Sequence, residues 1–149
     1  MATQRKLARL AALPPSEWLL LCQFVFFVLC MSVSLRYLAL PRLIDFLKQG
    51  TRHPLLQHFP LRHRTVSVDR LIVLADMAAK SARSLGWCLA RSLLLFWLLK
   101  ARGEPIELLV GMHRESALRT GHAWLERGGQ VVADDLTATG SFVPVVRFQ

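Results

Sequence analysis

Cysteine is scarce in this sequence, with three residues in a chain of 149. The odd number excludes a complete set of internal disulfides. Cys22 and Cys30 lie in one apolar run, too far apart along a helix to be bridged. A reducing compartment is the simpler interpretation, and we expect a cytoplasmic protein.

Acidic residues are also few: 10 Asp and Glu stand against 19 Lys and Arg, which gives a net charge of +9. This balance favours acidic partners such as phospholipid headgroups, nucleic acid or an acidic peptide. The basic residues are spread singly between apolar runs, and the sequence lacks helix-turn-helix, zinc-finger and RNA-binding motifs. It also lacks a glycine-rich phosphate-binding loop. We therefore expect no nucleic-acid partner and no cofactor.

Apolar residues are abundant, at 53% of the chain, which points to a membrane or a large partner surface. Residues 18–35 are almost wholly apolar, at the lower length limit for a membrane-spanning helix. Gln23 and two serines weaken this run, and basic residues flank both of its ends. We therefore expect a helix that packs on the rest of the chain or docks on a partner, with a membrane-spanning helix as the alternative. Any association of the protein with the inner face of the membrane is expected to be peripheral. No small-residue cleavage site follows the run, so we expect no signal peptide.

Composition divides the chain into three parts. Residues 1–50 form an apolar helical region. In it, Pro14 to Glu17 predict a helix start capped by Ser16, and a second helix from Pro41 ends at Gly50.

Residues 51–65 form a linker with two prolines and three histidines, His53, His58 and His63. The spacing of the histidines does not place them on one helical face, and no cysteine or carboxylate cluster accompanies them. We therefore expect no metal site here.

The third part, residues 66–149, changes from helical to strand-like patterning. A helix is predicted from Ser67, its cap, to about Ser84, and a second from Cys88 to a stop at Gly103. Strands are predicted over 106–112, 122–127, 130–134 and 142–148, with a glycine pair joining the middle two as a hairpin. The predicted fold class is α+β: a helical N-terminal part, then a cysteine-headed helix packed on a small antiparallel sheet.

Cys88, His122 and Asp134, in this order, supply every part of a thiol-based acyl-transfer site. Cys88 opens a helix, where the macrodipole and the free N–H groups stabilise a thiolate and an oxyanion. A regular strand places His122 on the same face as Trp124. A buried structural cysteine, a strand-edge histidine and a turn-forming aspartate are the alternative interpretation.

The choice of carboxylate is less direct. In an extended chain Asp134 and its neighbour Asp135 point to opposite sides, so only one of them should face the histidine.

The runs Cys88-Leu-Ala-Arg-Ser-Leu93, His122-Ala-Trp-Leu-Glu126 and Gly129-Gln-Val-Val-Ala-Asp134 resemble the transglutaminase-like leader peptidases of lasso-peptide biosynthesis. The resemblance covers roughly residues 66–149 and implies a papain-like triad of Cys88 as nucleophile, His122 as base and acid, and Asp134 as orienting carboxylate. The chain departs from many relatives in having Ala133 where they carry a polar residue. The resemblance also favours Asp134 over Asp135 as the orienting carboxylate.

The same resemblance implies a function and partners. The substrate is a ribosomally made precursor whose leader is removed through a thioester. Nothing before Val66 has the alternating strands of a leader-recognition domain, so we expect a separate recognition protein, with a lasso cyclase acting after cleavage. Two alternatives stay open: a transglutaminase-like acyltransferase, and a non-catalytic membrane-associated scaffold.

Overall fold

In a computed structural model of the protein, the described residues are 14–54, 56–60, 63–81, 87–115, 120–134 and 139–149. Within these ranges the chain forms four α-helices, two short 3-10 helices and four β-strands. The α-helices are α1 (Pro15–Tyr37), α2 (Leu40–Arg52), α3 (Val68–Ser81) and α4 (Trp87–Ala101), and the 3-10 helices are Leu56–His58 and His63–Thr65. The strands are β1 (Ile106–His113), β2 (Gly121–Arg127), β3 (Gln130–Val132) and β4 (Phe142–Phe148). The predicted α+β fold class is confirmed.

The four strands form one antiparallel sheet in the order β3-β2-β1-β4. The predicted hairpin is confirmed: Gly128 and Gly129, with φ of 56° and 82°, join β2 to β3, as a two-residue turn with positive φ at both positions requires. β1 is longer than predicted. His113, one residue beyond the predicted strand, pairs with Phe142 at the start of β4.

Helix α4 lies at the centre of the molecule because it is apolar on every side. Eleven of its 15 residues are buried, and it contacts α1, α2, α3, β1 and β2. It ends at the predicted glycine. Gly103 has φ of 81°, its N–H donates to Lys100 O at 2.9 Å, and the N–H of Glu104 donates to Leu99 O at 3.0 Å. This Schellman motif satisfies the last carbonyls of the helix and turns the chain into β1.

Helix α1 has a buried side and an exposed side. The buried side packs on α3 and α4, through Leu20, Leu21, Phe24, Phe27, Val28 and Met31. Large apolar residues are exposed on the rest of the helix: Trp18, Leu19, Phe26, Leu29, Val33 and Tyr37. Among the described residues, α1 alone is long and apolar enough to cross a membrane, with mean hydropathy 2.3 over a window of which 33% is buried. Core helices of soluble proteins and signal sequences meet the same criteria, so these properties do not by themselves place α1 in a membrane.

Two predicted helix ends are wrong. Ser16 does not cap α1: the helix begins at Pro15, with Pro14 before it and no capping side-chain bond within this described segment. A proline at the first helical position has no N–H that needs a partner. Gly50 does not end α2, which continues to Arg52. The glycine serves helix packing instead, since a Cβ there would lie 2.5 Å from the ring of Trp97.

The start of α3 is confirmed. Ser67 Oγ accepts a hydrogen bond from the Arg70 N–H at 3.3 Å, as an N-cap residue should.

The division into residues 1–50, 51–65 and 66–149 stays a prediction. Buried residues from all four helices, β1 and β2 belong to one hydrophobic cluster. The predicted linker is attached to α4 at two points: Arg64 donates to the carbonyl of Ala101 at 2.6 Å, and Trp97 Nε1 donates to the carbonyl of Phe59 at 2.7 Å.

Candidate active site

A cavity of about 130 Å³ brings the three predicted site residues together. It is lined by Asp76, Lys80, Trp87, Cys88, Arg91, His122 and Asp134. Cys88 comes from α4, His122 from β2, and Asp134 from the residues that follow β3. A thiol, an imidazole and a carboxylate therefore share one small space that is open to solvent.

Cys88 is the second residue of α4 and is half-buried, with no disulfide. The first turn of a helix has N–H groups without intrahelical acceptors, and these groups and the macrodipole favour negative charge. Among the described residues the helix begins at Trp87, one residue before Cys88. The other two cysteines, Cys22 and Cys30, lie on α1 and do not line this cavity.

His122 and Asp134 are joined directly. His122 Nε2 lies 2.8 Å from Asp134 Oδ2, and each side chain is 18% exposed. An ionised carboxylate only accepts hydrogen bonds, so the proton of the neutral imidazole belongs on Nε2. Nδ1 then keeps a lone pair that can take the proton of a thiol. The contact with Asp134 therefore selects the His122 tautomer that can act as a general base.

Two aromatic rings flank the imidazole of His122. The indole of Trp124 is stacked with it at 6.1 Å between centroids, and the ring of Phe142 lies 5.0 Å away. The shared face of His122 and Trp124 was predicted from strand alternation. Trp124 Nε1 donates to Glu126 Oε1 at 3.0 Å, and the indole lies so close over Gly111 that a Cβ there would come within 2.8 Å of it. The position of the imidazole is thus fixed from the sheet side as well as by the carboxylate.

The backbone at Ala133 determines how Asp134 reaches the histidine. The β2–β3 register pairs Leu125 with Val132, and continuing it would set Asp134 opposite Ala123. Ala123 belongs to the hydrophobic core and alternates with His122 along β2, so a regular strand would direct Asp134 away from the histidine. Ala133 has φ of 68°, in the left-handed region. This one residue breaks the alternation and brings Asp134 to His122. Asp135 lies outside the described residues.

Two residues one turn beyond Cys88 donate hydrogen bonds to the backbone carbonyls next to Asp134 and His122. Arg91 bonds through Nε to Asp76 Oδ1 on α3 and through Nη2 to the carbonyl of Ala133. Ser92 Oγ donates to the carbonyl of Ala123 at 2.8 Å. Both residues are buried.

Sequence reasoning assigned no role to Arg91, Ser92 or Asp76. A signal was present: Arg91 is the one charge in the apolar run from Trp87 to Leu99. An arginine buried in such a helix needs partners.

A family model described as the transglutaminase-like superfamily matches residues 27–147. The match covers most of the chain: the second half of α1, all of α2 to α4 and β1 to β3, and all but the last residue of β4. No curated protein and no solved structure matches the chain. The superfamily has a cysteine-protease-like fold and takes in both cysteine proteases and acyltransferases, and a helix headed by Cys88 on an antiparallel sheet agrees with that fold. The chain belongs to the transglutaminase-like superfamily.

Proposed function

We propose that the protein is a cysteine peptidase that removes the leader from a ribosomally made lasso-peptide precursor. The observation that carries the proposal is the 2.8 Å contact between His122 Nε2 and Asp134 Oδ2 in a cavity that Cys88 also lines. The choice of a lasso precursor rests on the resemblance of the Cys88, His122 and Asp134 runs to leader peptidases.

The chemistry follows from the three side chains. His122 Nδ1 takes the thiol proton, and the Cys88 sulfur attacks the carbonyl carbon of the scissile peptide bond. N–H groups in the first turn of α4 stabilise the oxyanion of the tetrahedral intermediate. His122 then protonates the leaving amine, which departs with the C-terminal part of the peptide and leaves the leader on sulfur as a thioester. Water, deprotonated by the same imidazole, hydrolyses the thioester and restores the thiol.

Asp134 orients and charges this imidazole in both steps. Its carboxylate stabilises the imidazolium that forms when Nδ1 takes the proton, and it keeps the ring in one tautomer. The role requires no proton transfer to Asp134 itself.

A separate leader-recognition protein is part of the proposal. The described residues before Val66 are helical and contain no strand, whereas a winged-helix recognition domain needs strands. The exposed apolar side of α1 offers a surface for that protein. The lasso cyclase then acts on the released core peptide. This function places the protein in the cytoplasm, with any membrane contact peripheral.

Cleavage of a lasso-peptide precursor tests the proposal. The purified protein, a leader-recognition protein and the precursor are incubated, and the masses of the products are measured by mass spectrometry. We expect the leader with a free carboxyl terminus and the intact core peptide, at a much lower rate without the recognition protein. An uncut precursor in the complete mixture contradicts the proposal.

The same assay with an added primary amine distinguishes hydrolysis from acyl transfer, the other activity of the superfamily. A peptidase gives the free acid even when millimolar glycine ethyl ester is present. A leader carrying the mass of the amine, joined through an amide bond, would instead assign the protein as an acyltransferase with the same three site residues.

A further inference from the structure

Among the described residues that line the cavity, Arg91 is the one buried cation. It makes two bonds to different parts of the chain. Its side chain is 9% exposed. One bond goes to the carboxylate of Asp76 on α3, and the other to the carbonyl of Ala133. A charge buried to this degree is stable only with such partners, and bonds to a charged group are stronger than neutral ones. The guanidinium therefore fixes Ala133 relative to α3 and α4.

The carbonyl that Arg91 holds belongs to the residue in the left-handed conformation. An alanine is disfavoured in this region because its Cβ approaches the following carbonyl oxygen, so the conformation needs support from its surroundings. The hydrogen bond from the charged guanidinium of Arg91 to the Ala133 carbonyl supplies that support. Without the left-handed turn, Asp134 would follow the β3 register to the opposite side of the strand from His122.

We infer that Arg91 is a positioning residue that selects Asp134 as the carboxylate partner of His122. It acts from the same helix that carries the nucleophile, three residues after Cys88. One rigid element thus fixes the thiol directly and the acid–base pair through the carbonyl of Ala133. The inference rests on the proposed function and adds to it the residue that assembles the triad.

The alkylation rate of Cys88 tests this role without any peptide substrate. The protein is treated with iodoacetamide at pH 6.5, and labelling of each cysteine is followed by peptide mass spectrometry. Because the thiolate is the reactive form, an imidazolium supported by Asp134 accelerates labelling of Cys88. Cys22 and Cys30, on α1, serve as internal controls.

We expect Arg91→Met and Asp134→Asn each to slow labelling of Cys88 by roughly tenfold or more. Cys88 of the double variant should be labelled no more slowly than that of Asp134→Asn alone, because the effects of two residues that act through one contact are not additive. Arg91→Lys keeps the charge beside Asp76 but cannot serve both partners with a rigid fork, so it should fold and still slow the labelling.

Arg102→Met is the matched control. Arg102 follows the other end of α4 and also donates to a backbone carbonyl, that of Val66 at 2.5 Å, but it does not line the cavity. We expect Cys88 of the Arg102→Met variant to be labelled at the wild-type rate.

If Arg91→Met and Arg91→Lys are labelled at the wild-type rate while Asp134→Asn is slow, the inference about Arg91 is overturned and the proposed function still stands. A further loss of the same size when Arg91→Met is added to Asp134→Asn would also overturn the inference. Failure to cleave any precursor while the labelling pattern holds would instead count against the proposed function. Wild-type labelling in Asp134→Asn would overturn both.

Discussion

At the scale of single residues, the site depends on a few backbone and side-chain positions rather than on a large pocket. Ala133, in its left-handed conformation, brings Asp134 to the imidazole. Gly111 allows Trp124 to lie against the sheet beside His122. Ala133 thus sets the position of Asp134, and Gly111 sets that of the indole beside His122.

Substitution of the nucleophile is the simplest prediction at this scale. Cys88→Ala should reduce precursor cleavage by at least about a thousandfold, because the thioester cannot form. The change removes only a sulfur atom from a half-buried site, so the melting temperature should change little. Cys22→Ala is the control and should cleave at the wild-type rate. Equal cleavage by Cys88→Ala and wild type, measured by mass spectrometry, would remove Cys88 from the site.

The two adjacent aspartates give a second prediction. Asp134→Asn should lower kcat by roughly 10⁴-fold, because an amide cannot enforce the tautomer with the proton on Nε2. Asp135→Asn should cost far less. Steady-state cleavage rates of the two variants make the comparison. If Asp135→Asn proved the more damaging change, the β3 hairpin would continue in register past Val132, and the turn at Ala133 would be misassigned.

At the scale of elements, an ion pair joins the start of α1 to α3. Arg70 Nη2 lies 2.6 Å from Glu17 Oε2, and Arg70 Nε lies 3.1 Å from Glu17 Oε1. The hydrogen bond to Arg70 lowers the pKa of Glu17 below its usual value, and the same bond raises the pKa of Arg70. This forked pair adds a polar contact to the apolar packing of the helix on the core.

The lowered pKa sets the pH dependence of this contact. Its contribution is complete above the unfolded-state pKa of Glu17, near 4.5, and is lost as the pH falls through the lower folded-state value. The Arg70 side chain is 40% exposed, so we expect only about 0.5 kcal/mol. Glu17→Gln should therefore destabilise the protein in urea at pH 7 and scarcely at pH 3. Exposed Asp45 on α2 provides the control, Asp45→Asn. An equal effect of Glu17→Gln at both pH values would exclude the ion pair as the cause.

Much of the fold could be predicted from the sequence, because its signals are local. Period-two alternation and paired glycines indicate the hairpin, and Gly103 marks the end of α4. Ser16 and Gly50 were misread because their local signals compete with others: proline starts a helix without a cap, and glycine also allows close packing under Trp97. The roles of Ala133 and Arg91 could not be predicted, since they depend on a single backbone angle and on contacts between distant segments.

At the scale of the whole molecule, the apolar residues of α1 form two surfaces, one buried and one exposed. One side of α1 completes the core around α4, and its other side carries large exposed residues such as Phe26, at 60%, and Val33, at 57%. Each large apolar side chain is worth roughly 1.5–3 kcal/mol when buried. The molecule is therefore expected to be poorly soluble alone and to gain solubility when a partner covers this surface.

Extraction of membranes with alkaline carbonate tests how that surface is covered. We expect the protein to enter the supernatant when it is co-expressed with the recognition protein, because we expect α1 to be covered by α3, α4 and that partner instead of by lipid. The yield of soluble protein should rise in the same co-expression. Phe26→Lys, which adds charge to the exposed side, should raise solubility without the partner. Retention in the pellet with the partner present would identify α1 as a membrane anchor.

The central place of α4 has a consequence for the order in which the molecule opens. Backbone amides in a helix that is buried on every side exchange with solvent only when the whole structure unfolds, whereas an exposed edge strand opens in local fluctuations. The amides of Leu93 to Leu99, all buried, should be the slowest to take up deuterium, and those of β4, whose residues are mostly exposed, among the fastest. The thiol would then lie at the end of the last segment to unfold, while the strand that brings Phe142 against the imidazole would open in local fluctuations.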